Sequence, residues 1–166
     1  RWMMSTSPTP DGCTVLNFSA SHDGIGLRPV EGLLPPEEIT RMTDTVQGFG
    51  GRLTMRSFGA RTVPYEMNTT LFSALKGSVD GPDAHQIDRF IASQTIMMSL
   101  EGIPAFYVQS FLAAENDEDR AARTGQNRSL NRTQWHAAHI DDQLANGETP
   151  MAQVFFELRR RLDIRT

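Results

Sequence analysis

Apolar positions along this chain follow two different spacings. Residues 13–20 (CTVLNFSA) are short, β-branched and apolar between turn formers, which predicts a buried strand, and the polar stretch 5–12 before it reads as a loop. Pro35, Pro36, Glu37 and Glu38 suit the opening of a helix, because proline fits a first helical position and acids face the positive dipole end. That helix is predicted from 35 to 47, stopping at the glycine cluster 48–51. Segments 52–57 and 61–68 read as a hairpin across Gly59, 69–76 as a short helix and 77–83 as a loop. Residues 83–100 carry the clearest helical period, with Ile87, Phe90, Ile91, Thr95, Met98 and Leu100 on one side and Gly102 as the stop. Residues 103–108 (IPAFYV) predict a second buried strand. The polar stretch 113–147 then predicts one long loop, and long connections are often functional. A last helix is expected over 150–163, with Val154, Phe155, Leu158 and Leu162 turned to a core.

The order strand, excursion, helix, strand, loop, helix is that of an α/β protein with parallel pairing. Net charge is −4 with acids and bases interspersed, so nothing marks a nucleic-acid stripe or an anionic-membrane patch. No apolar run approaches the roughly 20 residues that span a bilayer. The start, RWMM followed by STSPTP, lacks the apolar stretch of a secretory signal, and a cytoplasmic address is the expectation. The one cysteine, Cys13, reads as a small buried filler.

His22 and Asp23 stand just past the first predicted strand, where an α/β protein places chemistry. Alone, the pair also reads as a turn whose aspartate caps a following segment. Arg132 alone reads as a surface cation, and Glu66 as a solvated hairpin residue. His136 and His139 with Asp141 and Asp142 imitate a metal-ligand spacing, but no further His or Cys supports it, and a solvated helix or turn is the simpler reading. His85 is expected to be exposed at a helix start, Met97 and Met98 to be core, and Tyr107 to be strand core.

Several segments in order carry a family resemblance. NFSASHDGIGLR at 17–28 is similar to the strand-seven motif of the α-amylase superfamily in its sucrose phosphorylase branch. PYEMN at 64–68 with LFSAL at 71–75 resembles the acceptor loop of that branch. EGIPAFY at 101–107 resembles its eighth strand, and ND at 116–117 and GQNRSLNR at 125–132 resemble its loop signatures. The resemblance implies the C-terminal part of a (β/α)8 TIM barrel, strands seven and eight with their helices. A complete barrel needs about 250 residues, so residues 1–166 read as a partial catalytic domain whose N-terminal half is missing.

The resemblance further implies retaining glucosyl transfer between an α-glucoside and inorganic phosphate, the small-molecule partners, with no metal or organic cofactor. Carried over, Asp23 is the transition-state stabiliser and His22 a donor to a sugar hydroxyl. Arg132, with Asn131 beside it, contacts the bound glucosyl unit, and Tyr65 and Glu66 shape the acceptor site. The family's nucleophile and acid/base precede strand seven and have no counterpart here, so the isolated chain is expected to be inactive, marginally stable and prone to aggregate. Glu66 departs from the Tyr-Gln of sucrose phosphorylases, which looks more like the glucosylglycerate or sucrose 6-phosphate members. A hydrolase or transglycosidase of the superfamily, and a non-catalytic sugar-binding remnant, are the alternatives.

Overall fold

A computed structural model describes residues 7–165. The reading of the first four residues as no secretory signal, and residues 5 and 6 of the first loop, lie outside them. The order is β1 (Leu16–Asn17), β2 (Ile25–Gly26), α1 (Pro36–Gly48), β3 (Arg52–Phe58), β4 (Arg61–Asn68), α2 (Leu71–Ala74), β5 (Gly77–Ser78) and β6 (Gly81–Pro82). Then come α3 (Gln86–Ser99), β7 (Ile103–Pro104), α4 (Val108–Phe111), α5 (Glu118–Thr124), a 3-10 turn (Asn127–Asn131), α6 (Ala137–Ala145) and α7 (Pro150–Arg165). The fold is mixed α/β.

β1 and β7 pair in parallel, Leu16 opposite Ile103 and Asn17 opposite Pro104. Pro104 has no N–H, and the ladder runs through its neighbours: Ile103 N donates to the Val15 carbonyl at 2.8 Å and Ala105 N to the Asn17 carbonyl at 2.7 Å. Helix α3 makes the crossover between the two strands. Its buried residues are Phe90, Gln94, Met97 and Met98, one face at helical spacing. Phe90 meets Phe72 edge to face at 5.4 Å, and Val154 and Leu158 of α7 complete the core with Ala20, Leu71 and Ala113. Gln94 was hidden by its polarity; it is fully buried and bonds the Ser19 hydroxyl.

A second core of Leu27, Val46 and Met67 lies under the antiparallel sheet β2–β4–β3. The hairpin turns at Gly59, as expected, but its register shifts between Thr54 and Met55, which face Glu66 and Pro64, leaving Tyr65 as a bulge. A proline in a strand belongs at such a break, having no N–H for the ladder.

Several expectations need correction, among them the loop 77–83, which is a small hairpin of β5 against β6. The run 13–20 forms only a two-residue strand and, apart from Ala20, is not buried: Leu16 and Phe18 are each 61 % exposed, and Cys13 is exposed. The run 103–108 is likewise strand only at Ile103–Pro104, with Ile103 exposed. Both segments pair with each other and, among the described residues, with no further strand, so their outer faces meet solvent. The stretch 113–147 is no single loop but carries α5, the 3-10 turn and α6. Asp117 caps α5 by accepting from Arg120 N at 2.8 Å, and Gly125 ends it in the left-handed conformation.

Candidate functional site

The chain leaves β1 into a two-residue turn. Ser21 and Gly24 exchange backbone hydrogen bonds of 3.1 and 3.0 Å, with His22 and Asp23 at the tip. The Ser21 hydroxyl accepts from Asp23 N at 3.2 Å and tightens it. Gly24 has φ +116°, and a Cβ there would stand 2.2 Å from the Met67 carbonyl oxygen. Only glycine lets the turn lie this close to β4. Directly after it, Ile25 and Gly26 pair with Met67 and Glu66, so the pairing of β2 fixes the turn beside the end of β4.

The 3-10 turn closes from the other side. Arg128 and Asn131 are spaced i and i+3, which stacks them on one face of the 3-10 turn, and Arg132 follows at its C-terminal cap. Arg132 Nη2 lies 3.0 Å from Asp23 Oδ1, and its Nε donates to the His22 carbonyl at 3.0 Å. Arg128 Nη1 lies 3.3 Å from the same Asp23 oxygen. The Asn131 amide donates to the Ser21 carbonyl. One carboxylate is therefore held by two guanidinia, Arg132 through a charge-assisted hydrogen bond, the strong kind, and Arg128 through an ion pair. The His22 ring is largely exposed, its Nε2 3.4 Å from Asp23 Oδ1.

Residues after β7 support the arginine turn. The Tyr107 hydroxyl donates to the Asn131 carbonyl at 2.7 Å, and the Gln109 amide to the Thr133 carbonyl at 2.6 Å. Burial pushes the Tyr107 hydroxyl above the usual tyrosine range, with nearby Asp23 in the same direction and Arg132 opposing. Tyr107 is therefore not strand core: it stands past β7 at the start of α4, half-buried, and braces the site. A shallow depression of about 280 Å³ opens beside the turn, lined by Leu16, Phe18, His22, Phe106 and Tyr107 among others.

Glu66 is not a solvated hairpin residue. It is 6 % exposed, and its Oε2 accepts from Asn68 Nδ2 at 3.0 Å and from Arg128 Nε at 3.3 Å. The same Asn68 nitrogen donates to the Asp23 carbonyl at 3.0 Å, while Thr54 donates to the Asn68 oxygen at 2.6 Å. The structure therefore brings together Asp23, His22, Arg132, Asn131 and Glu66. Tyr65 it places differently: as the bulged residue, with its ring 5.3 Å from the Arg56 guanidinium and its carbonyl accepting from Leu27 N at 3.0 Å. Arg128 and Asn68 stand inside the resembling segments PYEMN and GQNRSLNR but were given no site role from sequence. The i, i+3 spacing of 128 and 131 and the period-2 spacing of 66 and 68 were the available signals.

Among the described residues no group of three His, Cys, Asp or Glu could hold a metal ion. His136 precedes α6, and His139 stacks on Trp135 at 5.7 Å. Among the described residues no helix is long and apolar enough to cross a membrane.

This fold is that of part of a solved glycoside phosphorylase. The crystal structure of sucrose 6F-phosphate phosphorylase from Thermoanaerobacter thermosaccharolyticum matches with TM-score 0.74 and 22 % identity, over 90 % of this chain and 29 % of that one. No protein-family model matches the chain. Among curated proteins, glucosylglycerate phosphorylase of Escherichia coli (strain K12) is 36 % identical over 166 residues, 99 % of this chain and 29 % of the relative. The glucosylglycerate phosphorylase of Spirochaeta thermophila is 39 % identical over 156 residues, 93 % of this chain and 26 % of that protein. The homologues of this chain are thus phosphorylases of the glucosylglycerate and sucrose type, as the sequence resemblance implied. The chain spans about three tenths of the length of the curated relatives it matches.

Proposed function

We propose that β1 and β7 are strands seven and eight of a (β/α)8 barrel, and that the whole protein is a retaining α-glucoside phosphorylase. It moves a glucosyl unit between an α-glucoside and inorganic phosphate. The observation that carries this reading is Asp23, in the turn that follows the C-terminal end of β1, held by Arg132 and Arg128. Catalytic groups of such barrels sit at strand C-terminal ends. Parallel pairing of β1 and β7 around α3 supports the barrel, and the exposed Leu16, Phe18 and Ile103 form the face that the rest of the barrel covers.

Glucosyl transfer passes through an oxocarbenium-like transition state that develops positive charge at the reacting carbon. A carboxylate fixed in advance stabilises that charge without reorganising. Asp23 takes this role. His22, with its ring in the open, donates to a sugar hydroxyl, and Arg132 orients the glucosyl unit from the other side of Asp23. Asn131 holds the turn through the Ser21 carbonyl. Tyr65 and Glu66 lie toward the acceptor side.

The nucleophile and acid/base come from outside this chain. Glu66, joined to Asp23 through Arg128, is buried and already accepts two donors, so it is not free to attack. The isolated chain therefore turns nothing over. Both relatives above 30 % identity named above are glucosylglycerate phosphorylases, which supports glucosylglycerate as the substrate. Phosphate is co-substrate, and the absence of a metal or organic cofactor and a cytoplasmic address belong to the same proposal.

The test is release of glucose 1-phosphate by the whole enzyme from glucosylglycerate, sucrose and sucrose 6F-phosphate, with and without phosphate. Asp23→Asn is expected to lower kcat about 10²- to 10³-fold, the scale of losing one preorganised electrostatic group. Release of free glucose independent of phosphate, or an Asp23→Asn enzyme of unchanged kcat, overturns the reading.

A further inference from the structure

Glu66 presents a physical problem that its neighbours solve. A buried carboxylate without partners loses its solvation with nothing to offset the loss. Asn68, itself fully buried, and Arg128 supply those partners. Each of them also reaches Asp23: Asn68 through the Asp23 carbonyl, Arg128 through Oδ1. Arg128 uses two different nitrogens for its two carboxylates, Nε for Glu66 and Nη1 for Asp23. A planar guanidinium can do this with fixed geometry, whereas a lysine ammonium is a single point charge.

We infer that Glu66 works through Arg128 and Asn68 as a positioning residue for Asp23, and does not itself contact the acceptor. Arg128 is the bridge of this relay. The inference rests on Asp23 having the role proposed above. It gives the glutamate at this position a different task from a residue that lines a sugar pocket: it anchors the side chains that aim the stabilising carboxylate. A displacement of about 1 Å at such a group is enough to cost on the order of 10²-fold in rate.

The relay makes a kinetic prediction that direct contact does not. In the whole enzyme phosphorolysing glucosylglycerate, Glu66→Gln and Arg128→Lys should each lower kcat about 10- to 10²-fold with little change in KM. The double variant should be no worse than the poorer single, because both break one unit. Arg128 is partly exposed, so Arg128→Lys keeps the fold if Glu66→Gln does not. Losses that multiply, or a Glu66→Gln enzyme with raised KM for glycerate in the synthetic direction and unchanged kcat, overturn the relay.

A second readout needs no substrate. In the 166-residue chain, Glu66→Gln should move both the Arg128 Nε–H signal and the Asp23 carboxyl carbon in NMR spectra, and Arg128→Lys should move the Asp23 carbon. An Asp23 signal that stays in place while the variant keeps its backbone amide spectrum rejects the relay. If the unsubstituted enzyme phosphorolyses none of the glucosides, the proposed function fails, and these spectra still decide the relay.

Discussion

Replacing Gly24 with alanine should destabilise the chain far more than the same change at Gly59. Both glycines have positive φ, +116° and +59°. At Gly59 an added Cβ meets nothing within 4 Å, so only backbone strain remains, about 1 kcal/mol. At Gly24 it would lie 2.2 Å from the Met67 carbonyl oxygen, 3.1 Å from the Met67 carbonyl carbon and 3.2 Å from the Asn68 Cα. These are backbone atoms of a paired strand, so relief requires the turn or β4 to shift by about 1 Å, which a close-packed interior resists. That shift loosens the Ile25–Met67 pairing and the Asn68 bond to the Asp23 carbonyl, about 1 kcal/mol each. With the strain included, Gly24→Ala should cost about 3–4 kcal/mol. Urea unfolding followed by circular dichroism, at low micromolar concentration to limit self-association, measures both variants. The difference of about 2–3 kcal/mol corresponds to about 1 M or more in the midpoint. Equal midpoints for the two variants would refute the claim that the turn is fixed by its approach to β4.

Two further outcomes follow from the surface and the charges. Lysine at both Leu16 and Phe18, each 61 % exposed on the β1 face, should lower light scattering by concentrated samples and leave the helical signal unchanged. Unchanged scattering would show that association runs through another surface. The guanidinium of Arg160, and that of Arg161 beside it, hold the Glu157 carboxyl down to about 2 against an ordinary 4.5. Because the folded value is depressed, this contribution is complete above pH 4.5 and is lost as pH falls toward 2. Solvent reaches the group, so it is worth about 0.5–1 kcal/mol. Glu157→Gln should flatten that part of the stability–pH curve, and superimposable curves for the two proteins would count against the pairing.

The elements that could be read from sequence were those whose cause is local. The opening of α1 follows from Pro36, Glu37 and Glu38, the hairpin from Gly59, and α3 and α7 from their apolar period. The two short strands misled because an apolar β-branched run states a need for burial, not whether this chain can meet it. Leu16 and Phe18 show the need unmet. Gln94 misled in the opposite direction, since its burial depends on Ser19, 75 residues away. Within the site, Asp23, His22, Asn131 and Arg132 were legible because a motif names them. Glu66 was legible in position but not in environment: its burial depends on Arg128, 62 residues on, and no local pattern reports that pairing.

The contact between the 21–24 turn and the arginine turn has a consequence for how the chain assembles. Asp23 and Arg132 are 109 residues apart, and bringing such distant points together costs about 4 kcal/mol of loop entropy. Helices α3 and α7 and the β3–β4 hairpin can each gain structure from nearer neighbours before that closure is made. On loop entropy alone the site should therefore form late and open early. A single backbone nick or an insertion between the two turns would loosen the grip on Asp23 while most of the helical content survives, so loss of the site would announce damage to the chain before its secondary structure did.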